Sequence, residues 1–471
     1  MIIDKRAPGD RDCLGAGRPC AAYTFPRPDP EIAFAMTTNP AFAPAGYRVL
    51  AAADIAPLLA GLPALRRLIG GDPAGWRVRD VADGNINAVF LVDGPDGGVC
   101  VKQALPWLRV AGADWPLPVE RADFESAYLQ RIAPLVGALA PQWLHFDPAL
   151  HLIVMERLQP HIILRGGLIQ GRRYPDAARA VADYVAAACF HTSDLAAPFE
   201  RKAADQALFS RNVALQRITV DLVFTDPYAE APRNHWTPGL DAWAAALRDD
   251  LPLKAAVAGH RRAFLTHAQA LIHGDLHTGS VMVTADDTRV IDGEFAMLGP
   301  IGFDLGAFIA NLLLAWFARP QARGEAAAWR GWVLDQVAVF WRRFAAQFIA
   351  HWDAAAAAGV ANDAFPAAHF GGAAGRAALA GLQRDYVAAI LADSLAFAAI
   401  KMIRRIVGFA QVADFAAIDD AAPRARAQSG ALALARDLLR EPARWPDIET
   451  LLAAVPRYED AGLDPARAAR P

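Results

Sequence analysis

The 471-residue chain is 54% hydrophobic and 21% charged, ordinary for a soluble globular enzyme with a large buried core and unlike a disordered chain. A formal net charge of -3, with basic residues scattered as arginine pairs rather than runs, argues against a polyanionic partner such as nucleic acid. The length suggests two or three domains.

Residues 1–36 are polar and rich in proline (Tyr23-Thr-Phe-Pro-Arg-Pro-Asp-Pro30) and have no apolar segment after a basic start. They read as a disordered extension rather than a secretory signal, and Met36 is a candidate natural start. Cys13, Cys20, Cys100 and Cys189 include no C-x-x-C pair. They read as free thiols of a reducing cytoplasm. Strands follow. Trp76-Arg-Val-Arg-Asp-Val81 alternates apolar with polar, Ala88 to Val92 and Val99 to Gln103 continue, and turn signals at Asp83-Gly-Asn-Ile-Asn87 and Asp93-Gly-Pro-Asp-Gly-Gly98 separate them. This succession predicts an antiparallel meander. Apolar positions at helical spacing predict a helix over Arg121 to Leu135, and Leu152 to Glu156 reads as one more strand.

From about Ala177 the chain turns to alanine-rich amphipathic stretches. Helices are expected over Ala177–His191, Leu240–Ala270, Leu305–Phe317, Glu325–Ala357, Ala374–Phe409 and Pro423–Leu439, interrupted by short strands only between Leu271 and Phe295. The apolar stretch Leu305 to Ala318 is too short to span a bilayer and reads as a core helix. The expected architecture is α+β and bilobal: a small strand-rich N-lobe at 37–157, then a helical C-lobe at 158–471, with the linker near Glu156–Gln159.

Chemistry concentrates in Leu271-Ile-His-Gly-Asp-Leu-His-Thr-Gly-Ser280 and Val290-Ile-Asp-Gly-Glu-Phe295. One acid, Asp275, sits in a tight polar loop where it could accept the proton of an attacking hydroxyl. Two more, Asp292 and Glu294, are two apart on a segment expected to be extended, which would point both to one face as hard ligands for Mg²⁺. Together they fit phosphoryl transfer from magnesium ATP to a small molecule. Protein-kinase-like catalytic loops carry a metal-binding asparagine five residues after the base. Ser280 stands there, which makes Glu294 the substitute ligand. His273 and His277 have zinc-like spacing but lack H-E-x-x-H, so hydrogen bonds that shape the loop are the preferred reading. Lys102, emerging from an apolar strand, needs an anion: nucleotide phosphates together with Glu125 on the next helix, unless it is an edge lysine in solvent. Gly84 alone gives backbone freedom in the preceding turn, so Asn85 and Asn87 would supply amide donors to phosphate. No G-x-x-x-x-G-K-[ST] occurs, which excludes a P-loop. Arg404 and Arg405, on an apolar helix, require anions, either internal carboxylates or groups at the active site.

These residues resemble the 5-methylthioribose kinase family of the protein-kinase-like superfamily. The matching blocks are Asp83 to Phe90, Val101-Lys-Gln-Ala-Leu-Pro106, Asp114-Trp-Pro-Leu117, Leu164-Arg-Gly-Gly-Leu-Ile169, Asp221-Leu-Val-Phe-Thr-Asp-Pro227, Ile272 to Trp316 and Ile403 to Ala410. The resemblance implies ATP-dependent phosphorylation of the 1-hydroxyl of S-methyl-5-thioribose in methionine salvage. It also implies that Asp275 binds the sugar, that Asp292 and Glu294 hold the metal, and that Lys102 and Asn87 contact phosphates. The Glu156, Arg157 and Leu158 region would meet adenine, and Arg404 and Arg405 would reach the substrate or the transferring phosphate. The Trp115 loop would close over the site, and a homodimer is implied. Gly293 stands where the family usually has proline, so a looser loop is expected. Arg157 replaces a common acid, which questions a side-chain contact to adenine there. The nearest rival is a kinase of aminoglycoside, choline or homoserine type, against which Ser280 and the Asp292–Glu294 pair argue. A non-catalytic nucleotide-binding protein would be expected to have lost Lys102, Asp275 or Asp292, and all are present.

Overall fold

Seven short strands fall in the first third of the chain, and in the central ones residues alternate between two buried faces. In the computed structural model, which describes residues 42–81, 86–108, 112–320, 323–459 and 461–466, they are β1 (Arg77–Asp80), β2 (Asn87–Asp93), β3 (Gly98–Ala104), β4 (Trp107–Leu108), β5 (Gly112–Pro116), β6 (Trp143–Asp147) and β7 (Leu152–Glu156). Five of them form one antiparallel sheet in the order β1-β2-β3-β7-β6, while β4 and β5 form a separate hairpin. The expected extension at 1–36 lies outside the described residues.

Both sheet faces are covered. Phe90, Val92, Val99, Val101 and Val154 pack with Ile55, Leu59, Leu65 and Ile69 of two helices that the sequence reading missed, Ala52–Ala60 and Pro63–Ile69. Val89, Cys100, Ala104, Ile153 and Met155 form the other face, against Ala122 of helix Arg121–Val136. Period-two geometry therefore puts Lys102 on the Cys100 face, toward that helix. The boundary expected between 157 and 158 falls just past the end of β7.

The remainder is mostly helical. Helices occupy Ala177–His191, Ile301–Phe317, Glu325–Ala357, Gly372–Val407 and Ala421–Arg440, close to expectation, while Phe199–Phe209 and Val213–Phe224 were not anticipated. The single helix expected over Leu240–Ala270 is two, Asp241–Asp249 and Leu251–Thr266. Asp250 breaks it, because its side chain caps the second helix by accepting from Leu253 N–H at 3.0 Å with Pro252 in the first turn. Every residue of Ile301–Phe317 is buried. It lies close against Gly372–Val407, since a Cβ on Gly306 would sit 2.5 Å from the Ser394 carbonyl oxygen. Gly372–Val407 is long and apolar enough to cross a membrane by composition, yet 72% of its apolar window is buried inside the protein.

Short strands cluster between these helices. β8 (Ile162–Ile163) pairs with β10 (Val281–Val283), which pairs with β11 (Thr288–Val290), and β9 (Ala270–Ile272) pairs with β12 (Met297–Gly299). The acidic loops of the sequence lie between β9 and β12, and Asp292 of the second pairs with Lys102 of the main sheet.

Candidate active site

The loop from His273 to Ser280 is shaped by groups buried beneath it. Asp304, on the first turn of the core helix, accepts the main-chain N–H of His273 at 2.6 Å and of Gly274 at 2.9 Å. Gly274 has φ +81, and a Cβ there would meet the Phe295 carbonyl oxygen at 2.2 Å, so only glycine lets the two acidic segments touch. His273 Nε2 bonds the Ile291 carbonyl at 2.9 Å, which ties the same two segments together again. Both histidines are thus engaged in shaping the loop. Among the described residues the one cluster of potential metal ligands is Glu125, Asp292 and Glu294.

Asp275 stands at the centre of the loop. The Gly279 N–H donates to His277 Nδ1 at 2.9 Å, so the ring proton resides on Nε2, which faces Asp275 Oδ2 at 3.3 Å. Burial pushes His277 down to about 3, so it stays neutral through the physiological range. Lys401 Nζ lies 3.5 Å from Asp275 Oδ1. Burial opposes ionisation of Asp275, but the His277 hydrogen bond and the charges of Lys401 and Arg405 outweigh it and hold the carboxyl well below its usual range. Such a group is a weak base, able to accept a proton only as it becomes acidic.

The second acidic segment departs from expectation. Asp292 has φ 74 and ψ 44, in the left-handed region, and Gly293–Phe295 form a 3₁₀ turn rather than an extended segment. The turn, not strand alternation, brings the carboxylates together: one ligand oxygen each from Glu125, Asp292 and Glu294 lies within 4.8 Å of the others. Nor is the Gly293 loop loosened. The Tyr128 ring fills the space of the missing side chain, since a Cβ there would sit 2.3 Å from Tyr128 Cδ1. Lys102 Nζ is 2.8 Å from Glu125 and also pairs with Asp292. Burial would lower the Lys102 pKa, but Asp292 and Glu125 raise it above the ordinary lysine value, so it remains an ammonium. Asn87 Nδ2 donates to Glu294 Oε2 at 2.8 Å. Asn85, the other expected phosphate contact, lies outside the described residues. A buried set of hard carboxylate oxygens beside one ammonium fits a divalent cation carrying nucleotide phosphates.

Around this centre the other candidates separate. Glu156 accepts from Gln142 N–H at 3.0 Å and pairs with Arg289 at 3.3 Å, while Arg157 turns to Asp93 at 2.5 Å. Both side chains are held by internal partners at the end of β7, with Leu158 half-buried beside them. Trp115, on the β4–β5 hairpin, reaches the helical part, where its ring centroid is 5.5 Å from that of Phe409 and 5.4 Å from Arg233 Cζ. Arg404 and Arg405 lie in the last turn of Gly372–Val407. Arg405 donates to the Ala410 carbonyl at 3.0 Å, Arg404 Nε is buried without a hydrogen-bond partner, and among the described residues neither has a carboxylate within salt-bridge distance. The internal salt-bridge reading of this pair is therefore not met.

Lys401, Asp304 and Arg121 escaped the sequence reading. Lys401 is three and four residues before Arg404 and Arg405, so all three share a helix face, and that spacing was the available signal. Lys401 sits 4.2 Å from the Phe303 ring centroid, and burial lowers its pKa to about 8, with Arg404 and Arg405 adding to the fall and Asp275 and Asp304 opposing it. Its folded value lies below its unfolded one, so the unfolded chain holds that proton more tightly. The charged form therefore costs stability below about pH 8, and the cost fades as pH rises from about 8 toward 10.5. Lys401→Met is expected to raise unfolding stability at neutral pH, by on the order of 1–3 kcal/mol, while lowering turnover. Urea denaturation and a steady-state assay on the same samples check both signs.

Residues 77–340 match the phosphotransferase enzyme family, the class that a buried acid triad beside a lysine and a separate loop aspartate defines. The chain is 41% identical over 396 residues to methylthioribose kinase of Escherichia coli O45:K1, covering 81% of this chain and 91% of that one. It is 39% identical over 420 residues to methylthioribose kinase 2 of Oryza sativa subsp. japonica, covering 88% and 97%. With methylthioribose kinase of Klebsiella pneumoniae (strain ATCC 700721 / MGH 78578) it shares 40% over 384 residues, covering 81% and 92%. The chain belongs to the methylthioribose kinase family, within the protein-kinase-like superfamily.

Proposed function

We propose that this enzyme transfers the terminal phosphoryl group of ATP to the 1-hydroxyl of S-methyl-5-thio-D-ribose, giving the 1-phosphate and ADP, a step of methionine salvage. The observation that carries the reading is the docking of two loops. Gly274 meets Phe295 and His273 meets Ile291, so the Asp275 loop is fixed against the turn bearing Asp292 and Glu294. A hydroxyl presented to Asp275 would then face phosphates gathered at the acid cluster.

In this reading Asp275 orients the sugar hydroxyl and takes its proton late. The anomeric hydroxyl belongs to a hemiacetal and is more acidic than an ordinary alcohol, so a carboxylate of low basicity suffices. His277 and Lys401 hold that carboxylate in one orientation. Asp292 and Glu294 would hold Mg²⁺, which when bound neutralises charge on the transferring group. Lys102 and the amides of Asn85 and Asn87 would meet phosphate oxygens, with Glu125 fixing Lys102. Main-chain groups of the Glu156–Leu158 segment would meet adenine. Arg404 and Arg405 would meet the sugar or the arriving phosphate, and Trp115 would cover the site to exclude water. A homodimer in the cytoplasm completes the reading on the strength of the family.

A kinase of aminoglycoside, choline or homoserine type is the second reading. Lys401, Arg404 and Arg405 all act on Asp275 from the helical side, and such a cationic wall repels an amino-alcohol. ADP release measured side by side with methylthioribose, ribose, choline and kanamycin should favour methylthioribose by at least about tenfold in kcat/KM, about 1.4 kcal/mol in transition-state binding. Preference for choline or kanamycin would reject the assignment.

A further inference from the structure

Among the described residues, Arg121 is a heavily engaged buried cation outside the roles assigned above. It opens helix Arg121–Val136 and is 2% exposed, although a helix N-terminus disfavours a positive charge. One terminal nitrogen donates to the Pro118 carbonyl at 2.8 Å and the Leu117 carbonyl at 3.5 Å, just past the end of the Trp115 hairpin. The other donates to the Ile86 carbonyl at 3.1 Å and to Asn87 Oδ1 at 2.8 Å, on the expected phosphate loop. Its Nε is buried without a hydrogen-bond partner and lies 3.7 Å from Glu294 Oε2, an ion pair longer than a hydrogen bond.

Burying a guanidinium costs several kcal/mol unless its partners repay it, and an apolar side chain would fill the same space. The partners explain its presence, because they belong to segments with different tasks. The Trp115 hairpin reaches the substrate side, where Trp115 meets Phe409 and Arg233, and Arg233 is itself held by Asp226 at 2.8 Å. Asn87 and Glu294 lie on the nucleotide side and bond each other at 2.8 Å. Only the planar fork of arginine reaches both groups at once.

We propose that Arg121 is a positioning residue that couples the Trp115–Pro118 segment on the sugar side to the setting of Asn87 and Glu294, so that sugar and nucleotide bind with positive cooperativity. The inference rests on the substrate assignment above. Sugar held against Trp115 would fix the Leu117 and Pro118 carbonyls and, through them, the guanidinium whose Nε–H faces Glu294. Coupling of this kind is reciprocal: the sugar tightens nucleotide binding by the factor by which nucleotide tightens sugar binding.

Calorimetric titration of the full chain with a non-hydrolysable ATP analogue and magnesium, with and without methylthioribose, measures that factor. In the wild-type protein the analogue should bind roughly 5–150-fold tighter with sugar present. In Arg121→Lys, which keeps the buried charge but loses the fork, and in Arg121→Met, the factor should fall to within about twofold of unity while each ligand alone still binds. A purely structural role would weaken both affinities and leave the factor unchanged, which overturns the proposal. If Arg121→Met does not fold, Arg121→Lys decides alone. Absence of sugar binding to the wild-type protein would instead reject the substrate assignment, and the coupling with it.

Discussion

Asp275→Asn is expected to lower kcat by about 10²–10⁴-fold, the usual contribution of a positioned general base, while the ATP dissociation constant changes by less than about twofold. The variant is nearly isosteric, and the loop is held by Asp304 and the two histidines rather than by the Asp275 side chain. The new amide nevertheless fits poorly. His277 Nε2–H and the Lys401 ammonium both point donors at the position, so either amide orientation sets an NH₂ against a donor. A stability loss of about 1–3 kcal/mol should therefore accompany the loss of turnover. Single-turnover kinetics and equilibrium nucleotide binding on the same preparation separate these effects. Retained turnover would move the base elsewhere.

Asp292→Asn tests the other half of the site. Among uncharged residues with a side chain, asparagine tolerates the left-handed conformation at φ 74 best, so the turn should survive. The charge does not survive: Lys102 loses one of its two anions, and the cluster with Glu125 and Glu294 loses a ligand oxygen. The magnesium concentration needed for half-maximal activity should rise by on the order of 10²-fold, with a comparable fall in kcat/KM at fixed metal. Titrating metal at saturating ATP reads the shift. An unchanged metal dependence would show that the cation is held by other groups. Alanine at 292 would mix this loss with backbone strain, which makes asparagine the cleaner probe.

The sheet was legible because Val99, Val101 and Lys102 alternate across a strand whose two faces are both buried, and because its turns carry Asp-Gly and Gly-Gly pairs. The long helices were legible from period alone. The helix break at Asp250 was readable but overridden, since the apolar spacing continues across Pro252 and periodicity takes no account of a cap. The left-handed turn at Asp292 was not readable: two acids separated by glycine look the same on a strand as on a 3₁₀ turn. Tyr128 filling the place of a Gly293 side chain, and Arg121 joining three segments, are long-range pairings to which local sequence gives no access.

The most direct test of the account is the identity of the product. Phosphorus NMR of a reaction with ATP, magnesium and methylthioribose should show one new phosphomonoester resonance, split by the anomeric proton, growing in equal amount to ADP. A phosphoester on any other hydroxyl, or ADP accompanied only by inorganic phosphate, would contradict delivery of the 1-hydroxyl by Asp275.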